Sequence, residues 1–215
     1  MKYYFTAILF TCGMSVFAQN TKTVSVKPSP LAGYSEEWNK AVYTRCNTAE
    51  NMTYMSSTEK NVIYVLNLLR ANPKLFVQTV LLKYPERSDN DNLLNDSYYF
   101  NSLVSTLQSM KPLPLLLPDI DCYFSALCHA NQSGITGYVG HEREIASCLK
   151  KRHFNGECCD YGHNDAVDII MSLVIDDGVE SLGHRNICLG KYEKIAVSIQ
   201  PHKTWRYNAV LDFHF

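Results

Sequence analysis

Val62, Val65, Leu66 and Leu69 recur at three- and four-residue intervals in "NVIYVLNLLRANP", the spacing of one helix face. Ser56 and Glu59 stand upstream at capping-box spacing. The predicted helix stops near Asn72, because Pro73 disfavours α geometry in the residue before it. Asn72 can then cap a second helix, with Pro73 at its first position, running through "KLFVQTVLLKY". After a polar loop, "PERSDNDNLLND", the positions Phe100, Leu103, Val104, Leu107 and Met110 mark a third helix that ends before Pro112. The prolines of "KPLPLLLPD" exclude regular helix there. Asp119 can cap a fourth, whose Ile120, Tyr123, Phe124 and Leu127 share a face and which glycines at 134, 137 and 140 bring to an end. A fifth starts near Asn164 and buries Val167, Ile170, Met171 and Val174.

The period then changes from three or four to two. Ile195, Val197 and Ile199 alternate with smaller or polar residues. Trp205, Tyr207, Ala209, Leu211, Phe213 and Phe215 alternate with Arg206, Asn208, Asp212 and His214, giving two strands joined through "PHK" with Trp205 and Tyr207 on the core face. Helices first and strands last define an α+β class rather than alternating βαβ units.

The amino terminus, "MKYYFTAILFTCGMSVFAQN", has a basic start, a short apolar run and a small-residue exit, as in a signal peptide cleaved after Ala18. The run is too short to span a membrane comfortably. Residues 19–35 read as a flexible, proline-containing leader, within an extension over 19–55 that precedes a domain over 56–215. Aromatics in "WNKAVYTRCNTAENMTYM" are numerous enough for that part to pack on the domain. A secreted or periplasmic location follows. The net charge of −1, with no basic stripe, argues against nucleic acid as a partner.

Export gives the cysteines meaning. Beyond Cys12 there are Cys46, Cys122, Cys128, Cys148, Cys158, Cys159 and Cys188, which allow up to three disulfides and one thiol, with the pairing open. Cys158 and Cys159 lack a second paired-cysteine motif, so disulfide roles outrank a zinc site for them.

The catalytic signatures searched for are missing: there is no G-x-S-x-G elbow, no H-E-x-x-H and no phosphate loop. What stands out is a set of titratable groups near glycines at the ends of elements, His141, Glu157, Asp177 and His184. Extending the fifth helix at about 100° per residue puts Asp177 at the edge of its apolar face and Asp176 on the opposite side. Arg185 and Asn186 fall where they can hydrogen-bond backbone beside His184. His129 reads as a packing residue, and His153, His163 and His202 as residues of polar turns.

The order of "NVIYVLNLLRANPKLF", "LLLPDIDCYFSALCHANQSG", "GHE", "GEC" and "GVESLGHRNICLG", followed by an aromatic strand, resembles the CAP superfamily of SCP/Tpx-1/antigen 5/pathogenesis-related-1 type, in its bacterial secreted branch. The similarity covers residues 56–215. It implies a three-layer α-β-α sandwich around a mainly antiparallel sheet, and an open groove holding two histidines and two acids. By resemblance His141 and His184 are the histidines, and Glu157 is the acid of a Gly-Glu-Asn motif that here reads "GEC". The second family acid is a helical glutamate; none stands at that place, and Asp177 is the substitute, with Asp176 behind it.

Two imidazoles and two carboxylates can hold Zn²⁺, with His141 and His184 as its ligands, or can form a hydrogen-bonded network that joins loops. The expected function is binding of a lipid or other small molecule in the groove, with or without metal. The alternatives are a metal-dependent hydrolase or protease-like enzyme, and a disulfide-braced module that engages an extracellular protein partner.

Overall fold

The computed structural model describes residues 1–2, 27–87 and 97–215. The expected signal peptide from residue 3, the adjoining leader up to residue 26 and residues 88–96 of the polar loop lie outside the described residues. The periodic segments fold as helices α1 (Ser57–Ala71), α2 (Pro73–Thr79), α3 (Tyr98–Ser109) and α4 (Ile120–Thr136). Two short helices flank the later part of the chain, α5 (Ala146–Lys150) and α7 (Gly183–Cys188), on either side of α6 (Ala166–Ile175).

Local chemistry explains the boundaries. At the start of α1, Glu59 N donates to Ser56 Oγ (3.3 Å) while Ser56 N donates to Glu59 Oε2 (2.6 Å), closing the capping box. The other carboxylate oxygen, Glu59 Oε1, accepts from Ile199 N at 2.8 Å, so this buried acid also ties the helix to the sheet. Asn72 Oδ1 accepts from Leu75 N to start α2, with Pro73 in its first turn. Asp119 Oδ1 accepts from the N–H groups of Asp121 and Cys122 at the start of α4.

A four-stranded mixed sheet has the order β1-β3-β4-β2, where β1 is Leu117–Pro118, β2 Gly156–Tyr161, β3 Lys194–His202 and β4 Arg206–His214. β1 runs parallel to β3; the other two pairings are antiparallel, with Glu157 opposite Asp212 and Cys158 opposite Leu211. Alternation sends Ile195, Val197, Ala209, Leu211 and Phe213 into the main core with α1 and α6. On the opposite face Ala126 and Ala130 of α4 pack against Val210 and Cys159. Helices thus cover both faces of a sheet that the last two strands dominate. Among the described residues, no helix is long and apolar enough to cross a membrane.

Gly134 does not end α4 but lies within it, where a Cβ would sit 2.2 Å from the Pro201 carbonyl oxygen. The helix reaches the β3 backbone only because that side chain is absent. Gly134→Ala is therefore expected to lower stability by about 1–3 kcal/mol despite alanine's better helix propensity, read by urea denaturation.

Several expectations change. Leu31, Trp38, Cys46, Ala49 and Met55 belong to the main core, so the extension expected over 19–55 is integral to the domain from Ser29 onward. Trp38 is fully buried and donates from Nε1 to Thr79 Oγ1 at 3.0 Å. Trp205, expected on the core face, is 51% exposed because it lies in the turn before β4. His202, expected in a polar turn, is buried: its Nδ1 accepts from the N–H groups of Thr204 and Trp205, and its Nε2 lies 3.0 Å from the Tyr138 carbonyl. One disulfide joins Cys128 of α4 to Cys148 of α5, while Cys46, Cys122, Cys158, Cys159 and Cys188 are buried thiols.

Candidate functional site

Three segments bring the predicted histidines together at β2, an outer strand of the sheet. Gly140 ends the approach to the first. Its carbonyl is met by His129 Nε2 of α4 at 2.9 Å, and its N–H donates to the Tyr161 hydroxyl of β2 at 2.9 Å. With φ at +139° and the Tyr138 hydroxyl 2.6 Å from where a Cβ would lie, this corner requires glycine. His141 follows, and its Nδ1 lies 2.9 Å from Glu157 Oε1. Glu157, expected near the end of an element, is the second residue of β2, buried and facing α4. His129 has its expected packing role: its Nε2 is spent on this loop, while its buried Nδ1 meets no hydrogen-bond partner among the described residues.

The second histidine is set by Asp176. Helix α6 stops at Ile175, and Asp176 takes the left-handed conformation (φ 56°, ψ 42°) that aspartate tolerates. That turn directs its carboxylate back to the start of α7. Oδ2 accepts from the N–H groups of His184 (3.0 Å) and Arg185 (3.2 Å), and Oδ1 lies 2.8 Å from His184 Nδ1. Asp177, the expected partner, is exposed and accepts instead from Ser97 Oγ at 2.6 Å. The correction has a plain cause: projecting the helical wheel past Val174 assumes helix at 176 and 177, and the helix has already ended.

Arg185 and Asn186 do bond backbone, as expected. Buried Arg185 donates from Nε to the Val174 carbonyl (2.7 Å) and from Nη2 to those of Ile175 (2.6 Å) and Tyr99 (2.8 Å). Its Nη1 donates to Ser102 Oγ at 2.8 Å. Asn186 Nδ2 donates to the Ser181 carbonyl at 3.1 Å. Arg70 of α1 fixes the far end of α7 through the carbonyls of Cys188 (2.8 Å) and Gly190 (2.9 Å). The histidine therefore rides on a helix clamped at both ends.

Successive residues of β2 point to opposite faces, and each face meets one histidine. Cys159 Sγ lies 3.7 Å from His141 Nδ1, while Cys158 Sγ lies 3.7 Å from the His184 carbonyl oxygen. That alternation also prevents the vicinal pair from gripping one ion together. The two imidazole rings come within 6.2 Å, centroid to centroid, tilted by 39°. In both, a carboxylate occupies the Nδ1 side, which fixes an Nδ1–H and leaves Nε2 as the working atom. Among the described residues, no group hydrogen-bonds either Nε2.

Behind Glu157 sits a group that the sequence reading did not include. Arg143 Nη2 donates to Glu157 Oε2 in a short contact, and Asp212 Oδ2 and Ser125 Oγ lie 3.5 Å away. The side chains of Arg143, Glu157 and Asp212 are all buried. Burial alone would raise the Glu157 carboxyl, but hydrogen bonds from His141 and Arg143 outweigh it and lower its pKa to about 2. Burial, then the neighbouring Glu157 charge, push Asp212 the other way, well above the ordinary carboxyl range. The signal for Arg143 was a basic residue two positions after His141, between Glu142 and Glu144.

The hydrogen bond to Glu157 is the largest influence on His141 and raises its pKa above the ordinary histidine value of 6.5. A raised histidine stabilises the fold fully below its unfolded pKa, and that contribution disappears as pH rises through the folded value. Glu157 contributes above its unfolded pKa, near the ordinary glutamate value of 4.5, and loses this as pH falls through about 2. NMR titration is expected to place the His141 midpoint above 6.5 and to show it fall in Glu157→Gln. An unchanged midpoint in that variant would break the pairing.

His141 and Glu157 line a cavity of about 350 Å³ together with Arg152, Leu149, Phe154 and Ile187. Ile187 follows His184 on α7, so the cavity and the second histidine share an element. The Arg143 and Arg152 guanidinium groups each lie 4.6 Å from the Phe154 ring centre. The wall thus combines three apolar side chains, Leu149, Phe154 and Ile187, with the His141 imidazole, the carboxylates of Glu142 and Glu157 and the guanidinium groups of Arg143 and Arg152. Compared with protein-family models, curated proteins and solved structures, the chain matches none.

Proposed function

We propose that this chain is an exported ligand-binding protein of the CAP type, whose ligand meets His141 and His184 through a polar head and fills the adjoining cavity with an apolar part. The observation that carries this is the pair of histidine–carboxylate units, His141–Glu157 and His184–Asp176, with rings 6.2 Å apart beside a cavity of about 350 Å³. The order of elements supports the resemblance. Helices on both faces of a mainly antiparallel sheet suit an α-β-α sandwich, and Asp176 supplies an acid where the family has a glutamate. The leader and the Cys128–Cys148 bridge favour an oxidising location.

The donors fit a divalent cation such as zinc. Each Nε2 is unoccupied by described residues, and each ring is oriented by a carboxylate on its Nδ1, as metal-ligating histidines are. Two nitrogens are an incomplete set, so a ligand oxygen or water completes the coordination. His141 and His184 would hold such an ion through Nε2, and the chemistry it would supply is polarisation of a carbonyl or phosphoryl oxygen of the ligand. His141 and His184 hold the head group, and Glu157 and Asp176 fix the tautomers.

A hydrolase is the second reading. It is favoured by the same carboxylate–imidazole pairing, which suits a general base acting through Nε2 on water. Turnover of peptide or ester libraries by the wild type, lost in His184→Ala, would establish it.

Extraction of the purified protein followed by mass spectrometry tests binding. The wild type is expected to carry a defined apolar molecule, and the His141→Ala/His184→Ala double variant to lose most of it. Equal cargo in both proteins, or none in the wild type, would sink the reading.

A further inference from the structure

Asp119, Cys122 and His153 stand outside the histidine cleft, and they present a carboxylate oxygen, a thiol sulfur and an imidazole nitrogen that all lie within 4.8 Å of one another. We infer that these three residues form a second metal site, for Zn²⁺ or a divalent ion of similar preference. Sulfur, nitrogen and oxygen donors in one cluster are what a borderline cation selects, and three protein ligands leave one tetrahedral position for water.

The first two ligands are fixed by the fold. Asp119 caps α4, and its Oδ1 is held by the N–H groups of Asp121 (3.0 Å) and Cys122 (3.0 Å). Cys122 is in the first turn of that helix, fully buried, and it is not one of the disulfide cysteines. The third ligand comes from the segment between α5 and β2. His153 N donates to Ser125 Oγ at 3.1 Å, and its ring stacks on that of His214 at 4.3 Å and 3°, which orients the imidazole. The outer carboxylate oxygen, Asp119 Oδ2, is paired at 3.3 Å with Lys194, whose half-exposed ammonium can move to solvent. A cation arriving there displaces one surface ion pair.

Access exists as well. His153 is in the wall of a cavity of about 510 Å³ with Asp121, Phe124, Lys151 and Arg152. Burial, reinforced by the Asp119 carboxylate, pushes the Cys122 thiol up, so the metal-free site keeps its proton. Binding forms a sulfur–metal bond and releases that one proton to solvent, with no change of oxidation state. The ion would join the start of α4 to residues 151–154, and Arg152 and Phe154 of that segment also line the histidine cavity. It acts as a clip between the sheet-covering helix and the cavity wall, and it shares no ligand with the cleft.

The thiolate separates this site from the cleft. Metal-stripped protein with its Cys128–Cys148 disulfide intact is titrated with Co²⁺ and followed by near-ultraviolet absorption. The wild type is expected to develop a thiolate-to-cobalt charge-transfer band that survives in His141→Ala/His184→Ala and vanishes in Cys122→Ser. Because a change at a buried cysteine can impair folding, His153→Ala at a half-buried position gives a second reading. It is expected to weaken Co²⁺ binding by about tenfold or more. No band in the wild type, a band retained by folded Cys122→Ser, or unaltered affinity in His153→Ala would each overturn the site.

Discussion

Arg143→Ala is expected to destabilise the protein by about 3–5 kcal/mol, the cost of leaving buried charge without its partner. The guanidinium is 2% exposed and stands between Glu157, also 2% exposed, and Asp212, which is fully buried. Those carboxyls face each other across the β2–β4 pairing. Without the cation, the strands bring two acids together in a medium that solvates neither. Lysine would supply the charge but not the planar fork, so Arg143→Lys should recover only part of the loss. Adding Glu157→Gln to Arg143→Ala should recover more, since it removes the stranded charge, and a double-mutant cycle would then be strongly non-additive. Urea denaturation of the four proteins measures this. A loss below about 1 kcal/mol for Arg143→Ala would mean that the buried ion pairing is not as described.

Arg185→Ala should have the next largest effect, about 3 kcal/mol or more, because it orphans several carbonyls at once. Three of its bonds go to the carbonyls of Val174, Ile175 and Tyr99, so one side chain closes the end of α6 and fastens α3 to it. Asp176 lies at that closed end. The variant should therefore lose His184 orientation along with stability, visible as faster hydrogen exchange at the α7 amides that Asp176 accepts from. Asn186→Ala, which removes one exposed bond to the Ser181 carbonyl, should stay within about 0.5 kcal/mol of the wild type. Equal effects from the two substitutions would contradict the role assigned to Arg185.

Much of the helical scaffold was legible because local rules and tertiary packing agree there. The Ser56–Glu59 box, the Asn72–Pro73 junction and the Asp119 cap all occur where the sequence places them. The last two strands were legible too, through period-two alternation. β2 was not, since "GECCDY" is buried on both faces and so carries no alternation to read. The same strand bears Glu157 and contacts both histidines, which is why the geometry around them was not legible. The Asp176–Asp177 choice failed at a helix end, where a positive φ rather than the helical wheel decides direction. Trp38 and its neighbours have no period at all; only a contact with α2, far along the chain, shows why the segment is buried. Arg143 was hidden by its charge, because sequence gives no sign that two acids wait for it inside.

The central claim is that His141 and His184 act as one site through their Nε2 atoms. Heteronuclear NMR of the imidazole nitrogens, recorded while Zn²⁺ is added, tests it most directly. The account predicts an Nδ1–H tautomer for both rings before addition and a joint shift of both Nε2 signals at the same zinc concentration. A proton on Nε2 in either neutral ring, or a response confined to one histidine, would contradict it.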